Sequence, residues 1–379
     1  MHFKKIPANR IRKLRTFALG KEEYTFCDFN NGSAKELIDL CSNDYFGLSR
    51  DTEIINAAYD LTLKEGLGSG SSRFISGSRP IHDLLEKKLS IWLNQEKVLL
   101  FPSGFQANIA AIQTLADRNS IILADKLIHN SLIVGAQSSG SKLIRFLHNN
   151  LNDLEKKLSK FTLLKKTILV VVESLYSMEG SIAPIKEISR LCKRYNVKLL
   201  VDEAHSIGIL GHEGKGLCNK FNKDVTMISG TLGKSFGSGG AFLACNKKVA
   251  DKIIQTCSAF RYTTALAPSL AAGALKSLEI IKMNKTWGND LLSFSNKWKD
   301  EISKLDKFLI KGDCQILSII IGDEDQTMKI QRYLEELGFL AIGIRPPTVP
   351  SGQSRIRITI RRTLNNEILE RFILALKNF

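Results

Sequence analysis

From about residue 51 the chain alternates two textures. Amphipathic stretches with apolar residues three and four apart, such as "IHDLLEKKLSIWLNQ" (81–95), "ANIAAIQTLA" (107–116) and "PIKEISRLCKRYN" (184–196), predict helices. Between them lie short runs that are apolar on both faces. "KVLLFPSG" (97–104), "SIILAD" (120–125), "KTILVVVES" (166–174) and "VKLLVDEAH" (197–205) read as strands, with "DVTMISGTLGK" (224–234) as the last short one. Strands that are oily on both faces and separated by helices predict an α/β domain built on a largely parallel sheet. Near residue 276 the texture changes. "KSLEIIKMNKTWGNDLLSFSNKWKDEISKL" is long, helical and polar-faced; shorter strands, "CQILSIIIGD" (314–323) and "SRIRITI" (354–360), follow around a helix at 325–337, and a helix ends the chain. The expected organisation is an N-terminal segment (1–50), a large domain (51–275) and a smaller C-terminal α/β domain (276–379).

Composition narrows the class. A chain of 379 residues with 44% hydrophobic and 24% charged content suits a soluble globular protein with more than one core. No stretch reaches the ~18 apolar residues of a membrane-spanning helix. The basic N-terminus lacks an apolar core and a small-residue cleavage site, so no signal peptide is expected. The 7 cysteines are odd in number, scattered, and free of C-x-x-C spacing, which points to reduced thiols in the cytoplasm and to no metal site. The net charge of +16 raises the question of nucleic acid, but the lysines are dispersed in pairs such as Lys87-Lys88 and aromatic content is 8%, so no basic, aromatic-lined stripe forms. A basic surface also attracts a polyanionic substrate such as a coenzyme A thioester.

Candidate chemistry collects at the C-terminal ends of the predicted strands: Ser103-Gly104, Glu173 to Ser177, Asp202 with His205, and Thr231 to Lys234. In an open α/β sheet that edge is where ligands bind. Gly233-Lys234-Ser235 resembles the end of a nucleotide-binding loop, and "VDEAH" the acidic strand that goes with one. The required first glycine would fall at Ile228, and the acidic strand precedes the lysine, so the nucleotide reading fails. "GLGSGSSRFISG" (66–77) is dense in Gly and Ser, as suits a mobile or tightly turned segment. A lysine among small residues, beside an acid and a histidine at a strand end, suits pyridoxal 5'-phosphate (PLP) chemistry. That cofactor needs an amine for its aldehyde, an anion for its pyridine nitrogen and a small-residue cradle for its phosphate. Asp202 is the acid placed for the ring, since Glu203 points to the opposite face of an extended strand.

Ordered segments along nearly the whole chain carry a resemblance: "LCSNDYFGLS" (40–49), "GSGSSRFISG" (68–77), "LFPSGFQAN" (100–108), "DKLIHNSL" (125–132), "ESLYSMEGSIAP" (173–184), "VDEAHSIGILGHEGKG" (201–216), "SGTLGKSFGSGG" (229–240) and "IRPPTVPSGQSRIRIT" (344–359). They resemble the α-oxoamine synthases, fold-type I PLP-dependent transferases. The resemblance implies a homodimer with the active site near the subunit interface. It makes Lys234 the Schiff-base lysine, Asp202 the partner of the pyridine nitrogen, His205 a contact of the 3'-oxygen and His129 the residue stacked on the ring. Ser103, Gly104, Phe105, Glu173, Ser177 and Thr231 match positions around the cofactor, and Thr263 and Thr264 a stretch that approaches the other subunit's cofactor. Arg15, Asn43, His129, Thr348 and Arg357 match substrate-contacting positions. Arg355 and Arg357 share a strand face, and spacing alone does not choose between them.

"RPPTVPSG" (345–352) looks like the version found in the family's biotin-pathway branch. That branch condenses L-alanine with a pimeloyl thioester, losing CO2 and free thiol. The alternatives within the family take glycine with acetyl- or succinyl-coenzyme A. Arg73 departs from the biotin-pathway pattern, either as a surface ion pair or as a contact of a substrate carboxylate. A scaffold derived from the fold would lack Lys234 or Asp202, and both are present.

Overall fold

The computed structural model describes residues 7–29 and 34–379. The chain falls into two compact units. Of the described residues, the smaller takes in those up to Gly47, Ser177–Ser181 and Asp290–Phe379; the larger takes in Leu48–Tyr176 and Ile182–Asn289.

The smaller unit opens with β1 (Phe17–Leu19), β2 (Thr25–Asp28) and β3 (Lys35–Asp39). In the larger unit, α1 (Thr52–Glu65) and α2 (Pro80–Leu93) precede β4 (Lys97–Phe101), α3 (Gly104–Leu115), β5 (Ile121–Asp125), α4 (Asn130–Ser138) and β6 (Lys142–Phe146). Then come α5 (Leu151–Thr162), β7 (Ile168–Glu173), α6 (Ile185–Arg194), β8 (Lys198–Asp202), β9 (Met227–Thr231), β10 (Ala241–Cys245), α7 (Lys247–Thr256), α8 (Ser258–Arg261) and α9 (Pro268–Met283). The smaller unit resumes at Asp290 within α10 (Trp287–Ser303) and continues with β11 (Leu309–Lys311), β12 (Ile316–Gly322), α11 (Glu324–Glu336), β13 (Phe339–Leu340), β14 (Ile342–Ile344), β15 (Ser354–Thr359) and α12 (Asn366–Asn378).

The larger unit is built on a seven-stranded sheet in the order β4-β10-β9-β8-β7-β5-β6. From β9 to β6 the strands are parallel, while β10 runs antiparallel to both β9 and β4. Leu169, Val170, Val171 and Val172 are 0% exposed. Burying each such side chain contributes about 1.5–3 kcal/mol, so the central strands anchor the edge on which the chemistry sits. Two strands depart from the expectation. β9 is not the last strand, because "AFLAC" forms β10 directly after the Gly239-Gly240 turn. β6 ("KLIRF") was hidden by its charges, and it is a sheet edge, where charged residues block pairing with another chain.

Register sets up the site. Glu173 pairs with Asp202 across β7 and β8, and Asp202 pairs with Ser229 across β8 and β9. Pairing in a parallel ladder puts these three side chains on one face in one row, and sends Glu203 to the other.

The smaller unit holds two four-stranded sheets, β1-β2-β3-β13 and β11-β12-β15-β14. Its core contains Trp298 and Phe339, whose rings each lie 5.3 Å from that of Phe372. The division between units differs from the one expected near residue 276. That position lies inside α9, which packs against α1 within the larger unit. The N-terminal strands join the C-terminal region through the parallel pairing of β3 with β13, a contact that no local pattern reveals. Ser177–Ser181 joins it through backbone, with Asp313 N donating to Gly180 O at 2.8 Å.

Candidate active site

Lys234 stands on a turn after β9 that glycine makes possible. Leu232 N donates to Gly240 O at 2.9 Å, Gly237 N to Lys234 O at 2.9 Å and Ser238 N to Leu232 O at 3.0 Å. Gly237 has φ +57°, and a β-carbon there would lie 2.2 Å from Ser49 N, so only glycine closes this turn. Ser235 is fully buried and donates to Ile207 O at 2.7 Å. A nucleotide-binding loop needs that hydroxyl for Mg²⁺, so the arrangement rules the loop out independently of spacing. The half-buried Lys234 places Nζ 2.7 Å from His205 Nε2. A protonated amine has only donors, so it donates and His205 Nε2 accepts.

Asp202, at the end of β8, is 6% exposed. Its Oδ1 accepts from Ala204 N at 2.8 Å and its Oδ2 from Asn108 Nδ2 at 2.7 Å. Asn108 Nδ2 also donates to Ser131 Oγ at 2.9 Å, and Ser131 Oγ lies 2.7 Å from His129 Nδ1. His129 is the N-cap of α4, its Nδ1 accepting from Ser131 N, while its own N–H donates to Glu173 Oε1. Burial pulls the His129 pKa below the ordinary value; the Lys234 charge adds to this and Asp202 opposes it. Glu203 turns away as the strand alternation requires, and its Oε1 accepts from Cys218 N at 2.9 Å. Fully buried, it has its pKa raised to about 7 by desolvation.

These side chains surround a cavity of about 240 Å³ in the larger unit, walled by Gly104, Phe105, Asn108, His129, Ser131, Glu173, Asp202, His205, Thr231 and Lys234, among others. Ser103 caps α3 through a 3.3 Å bond from Gln106 N, leaving the first N–H groups of the helix for an anion. A β-carbon at Gly104 would stand 3.9 Å from Thr231 Oγ1, which shows how closely the helix end approaches β9. The cavity brings together the expected Gly104, Phe105, His129, Glu173, Asp202, His205, Thr231 and Lys234. Sequence reasoning missed Asn108, Ser131 and Ser229. The available signal was polar side chains on otherwise apolar faces: Asn108 lies four residues after Gly104, on the same side of α3.

Other expected residues fall elsewhere. The exposed Ser103 caps its helix and does not line the cavity. Thr264 bridges to Ser72, and Gly77 N donates to Ser72 O at 2.9 Å, so "GSGSSRFISG" is tightly turned. Thr263 Oγ1 lies 3.4 Å from the Thr264 carbonyl oxygen, and neither threonine lines the cavity. Arg73 pairs with Glu86 at 2.7 Å and Asp83 at 3.2 Å, which selects the ion-pair reading for it.

Within the smaller unit, Arg357 is 7% exposed. Its Nε donates to Ser177 O at 2.7 Å, Nη1 to Thr359 Oγ1 at 3.1 Å and Nη2 to Asn43 Oδ1 at 3.0 Å. Among the described residues no carboxylate pairs with it, whereas Arg355 has Glu179 at 3.3 Å and Arg361 has Asp39 at 3.1 Å. Arg15 is taken up by Asp28 and by Glu335, the latter at 2.6 Å, and Thr348 Oγ1 accepts from Arg12 at 2.7 Å.

The arrangement fits PLP. An amine stands beside a histidine, a buried carboxylate lies across the cavity wall, and the N-terminus of α3 faces the same space, next to the Thr231 hydroxyl, which donates to Gly240 O at 3.1 Å. Asn108 Oδ1 and Ser229 Oγ are buried in that wall with no hydrogen-bond partner among the described residues, which suits the lining of a polar cofactor's site.

Comparison with known proteins agrees. Residues 35–376 match the family "Aminotransferase class I and II". A protein of Alkalilimnicola ehrlichii named 8-amino-7-oxononanoate synthase is 34% identical over 90% of this chain and 88% of its own. One of Saccharophagus degradans with the same name is 35% identical over 91% of this chain and 87% of its own. Among solved structures, a serine palmitoyltransferase of Sphingomonas wittichii superposes with TM-score 0.91 at 26% identity, covering 98% of this chain and 93% of that one. The 8-amino-7-oxononanoate synthase of Francisella tularensis gives TM-score 0.79 at 26% identity, covering 90% and 97%. The chain therefore belongs to the class I and II aminotransferase family, as a PLP-dependent fold-type I enzyme of the α-oxoamine synthase group that includes 8-amino-7-oxononanoate synthase.

Proposed function

We propose that this protein condenses L-alanine with a pimeloyl thioester, carried on coenzyme A or on a carrier protein, to give 8-amino-7-oxononanoate, CO2 and free thiol in biotin formation. The observation that carries the reading is the contact of Lys234 Nζ with His205 Nε2 at 2.7 Å, in one cavity with Asp202. Relatives 34–35% identical over about nine-tenths of the chain bear the name of that synthase.

Bound PLP supplies an electron sink for the charge left at the amino acid's α-carbon. Lys234 would anchor the cofactor through its Nζ, and the same Nζ, when free, would take the α-proton and later return one. Its amine must be neutral to do so, and the acceptor at His205 Nε2 provides a place for the proton it sheds. Asp202 holds the ring nitrogen protonated, because an ionised carboxylate there favours the cationic form. Backbone N–H groups at the start of α3 would hold the phosphate, and the Thr231 hydroxyl, which here donates to Gly240 O, would turn to it. His129, in the cavity wall, would cover the ring. Arg357 receives a substrate carboxylate: among the described residues its buried guanidinium has neutral partners only, with Asn43 fixing its plane. Substrate contacts at Arg15 and Thr348 stay within the proposal, although both side chains already have protein partners.

The protein works as a cytoplasmic homodimer in this reading. All 7 cysteines are free. Ile55, Tyr59 and Leu63, spaced four apart on α1, are 49%, 60% and 70% exposed, and Ile75 and Tyr262 are 81% and 78% exposed. Apolar exposure on this scale marks a surface meant to be covered. Among the described residues no helix is long and apolar enough to cross a membrane.

The test is turnover by the PLP-loaded protein with L-alanine, glycine or L-serine, each against pimeloyl-, acetyl-, succinyl- and palmitoyl-coenzyme A and pimeloyl carrier protein, read by product mass. The expected product comes from alanine and a pimeloyl thioester. Turnover confined to glycine, or to serine with the palmitoyl donor, overturns the reading.

A further inference from the structure

Asn108 and Ser131 have no role in the chemistry above, yet they join its two ring-facing groups. Asn108 is 4% exposed and Ser131 is 0% exposed. Ionised Asp202 has only acceptor atoms, so the Asn108 amide must turn its Nδ2 toward it, as observed at 2.7 Å. The second Nδ2 hydrogen then goes to Ser131 Oγ at 2.9 Å. With that oxygen accepting, the serine's own proton is directed to His129 Nδ1 at 2.7 Å. Ser131 N–H donates to the same Nδ1 at 3.3 Å. A ring nitrogen that receives two donors must keep its lone pair, so the neutral imidazole carries its proton on Nε2.

We propose that Asn108 and Ser131 are positioning residues that fix His129 as its Nε2–H tautomer and tie that choice to the ionised state of Asp202. The chain of bonds runs one way, from carboxylate to amide to hydroxyl to imidazole, and each donor is determined by the group before it. If Asp202 lost its charge, the amide would lose its fixed sense, and the serine proton would no longer be committed to Nδ1. His129 therefore offers a donor at Nε2 and no base there. The hydroxyl, not the cap bond alone, makes the choice strict, because the 3.3 Å backbone bond is the weaker of the two.

The inference rests on the PLP-site reading for its consequence but not for its test. Nitrogen-15 spectra of histidine-labelled apoprotein, with His129→Gln for assignment, report the tautomer directly. Wild type should show a protonated Nε2 and a bare Nδ1. Ser131→Ala and Asn108→Ala should shift His129 toward a mixture, and Ser131→Thr, which keeps the hydroxyl, should restore the wild-type pattern. In the PLP-loaded protein, Asn108→Ala should release cofactor about 10-fold faster, in line with one lost charge-assisted bond. A protonated Nδ1 in wild type, or an unchanged tautomer in Ser131→Ala, overturns the proposal. If Asn108→Ala fails to fold, the serine pair decides it. Failure of wild type to bind PLP at Lys234 would instead refute the reading of the site and leave the tautomer result standing.

Discussion

Lys234 Nζ and His205 Nε2 lie 2.7 Å apart, on a glycine-closed turn and at a strand end that the fold holds side by side. Lys234→Ala should therefore lose about 10²–10⁴-fold or more in kcat, the range for removing a placed acid–base group. His205→Ala should lose about 10–100-fold, from one hydrogen bond to a charged group. Steady-state kinetics with reductive trapping of the cofactor on lysine checks both. An adduct on any lysine other than Lys234 would defeat the assignment.

Asp202→Asn keeps the shape and removes the charge. PLP should dissociate about 10–100-fold faster, with a larger loss in kcat than in KM, because the ring nitrogen loses its anionic partner. Cofactor absorbance after dialysis measures the first effect. Retention equal to wild type would place the ring elsewhere.

The two strand-mates in β15 should separate cleanly. Arg357→Ala should raise KM for the amino acid about 10–100-fold, the worth of a charge-assisted pair. Arg355→Ala should leave KM within about 2-fold and act on thermal stability instead, since the 3.3 Å ion pair with Glu179 would be lost.

Glu203 sets a pH dependence of stability. Its folded pKa of about 7 lies above the ordinary carboxyl value of 4.5, so the folded state binds the proton more tightly. Its contribution is present in full below about pH 4.5 and is lost as pH rises through about 7, amounting to a few kcal/mol in order of magnitude. Glu203→Gln should flatten that part of the profile in denaturant melts run from pH 5 to 8. An unchanged slope would mean that the carboxylate is ionised in the fold.

Leu63→Glu with Ile75→Glu should convert the proposed dimer to monomer, because charge on the apolar face that the proposal covers removes the drive to associate. Sedimentation at micromolar concentration reads the mass. A wild-type monomer would remove the homodimer from the proposal.

The central strands and the Lys234 turn were legible because buried parallel strands are apolar on both faces and glycine clusters mark tight turns. Asp202 was legible for the same reason: it is an acid that ends a strand. Asn108 and Ser131 were not, since a helix face with one polar residue looks like ordinary core until the partner is seen. Arg355 and Arg357 carried the same alternation signal, and only Glu179 against Asn43 tells them apart. β10 and β6 escaped for opposite reasons, one hidden behind a glycine turn and the other disguised by edge charges.

Asp202 and Glu203 are consecutive acids whose surroundings ask opposite things of them. One accepts from the donors Ala204 N and Asn108 Nδ2; the other is shut away and holds its proton near neutrality. A one-residue slip of β8 against β7 would exchange them, presenting a proton-bearing acid to the cofactor ring and burying a charge behind it. Variants that loosen this strand pairing should thus bleach the bound cofactor's colour before they unfold, so the enzyme's spectrum is a more sensitive gauge of β8 register than its melting temperature.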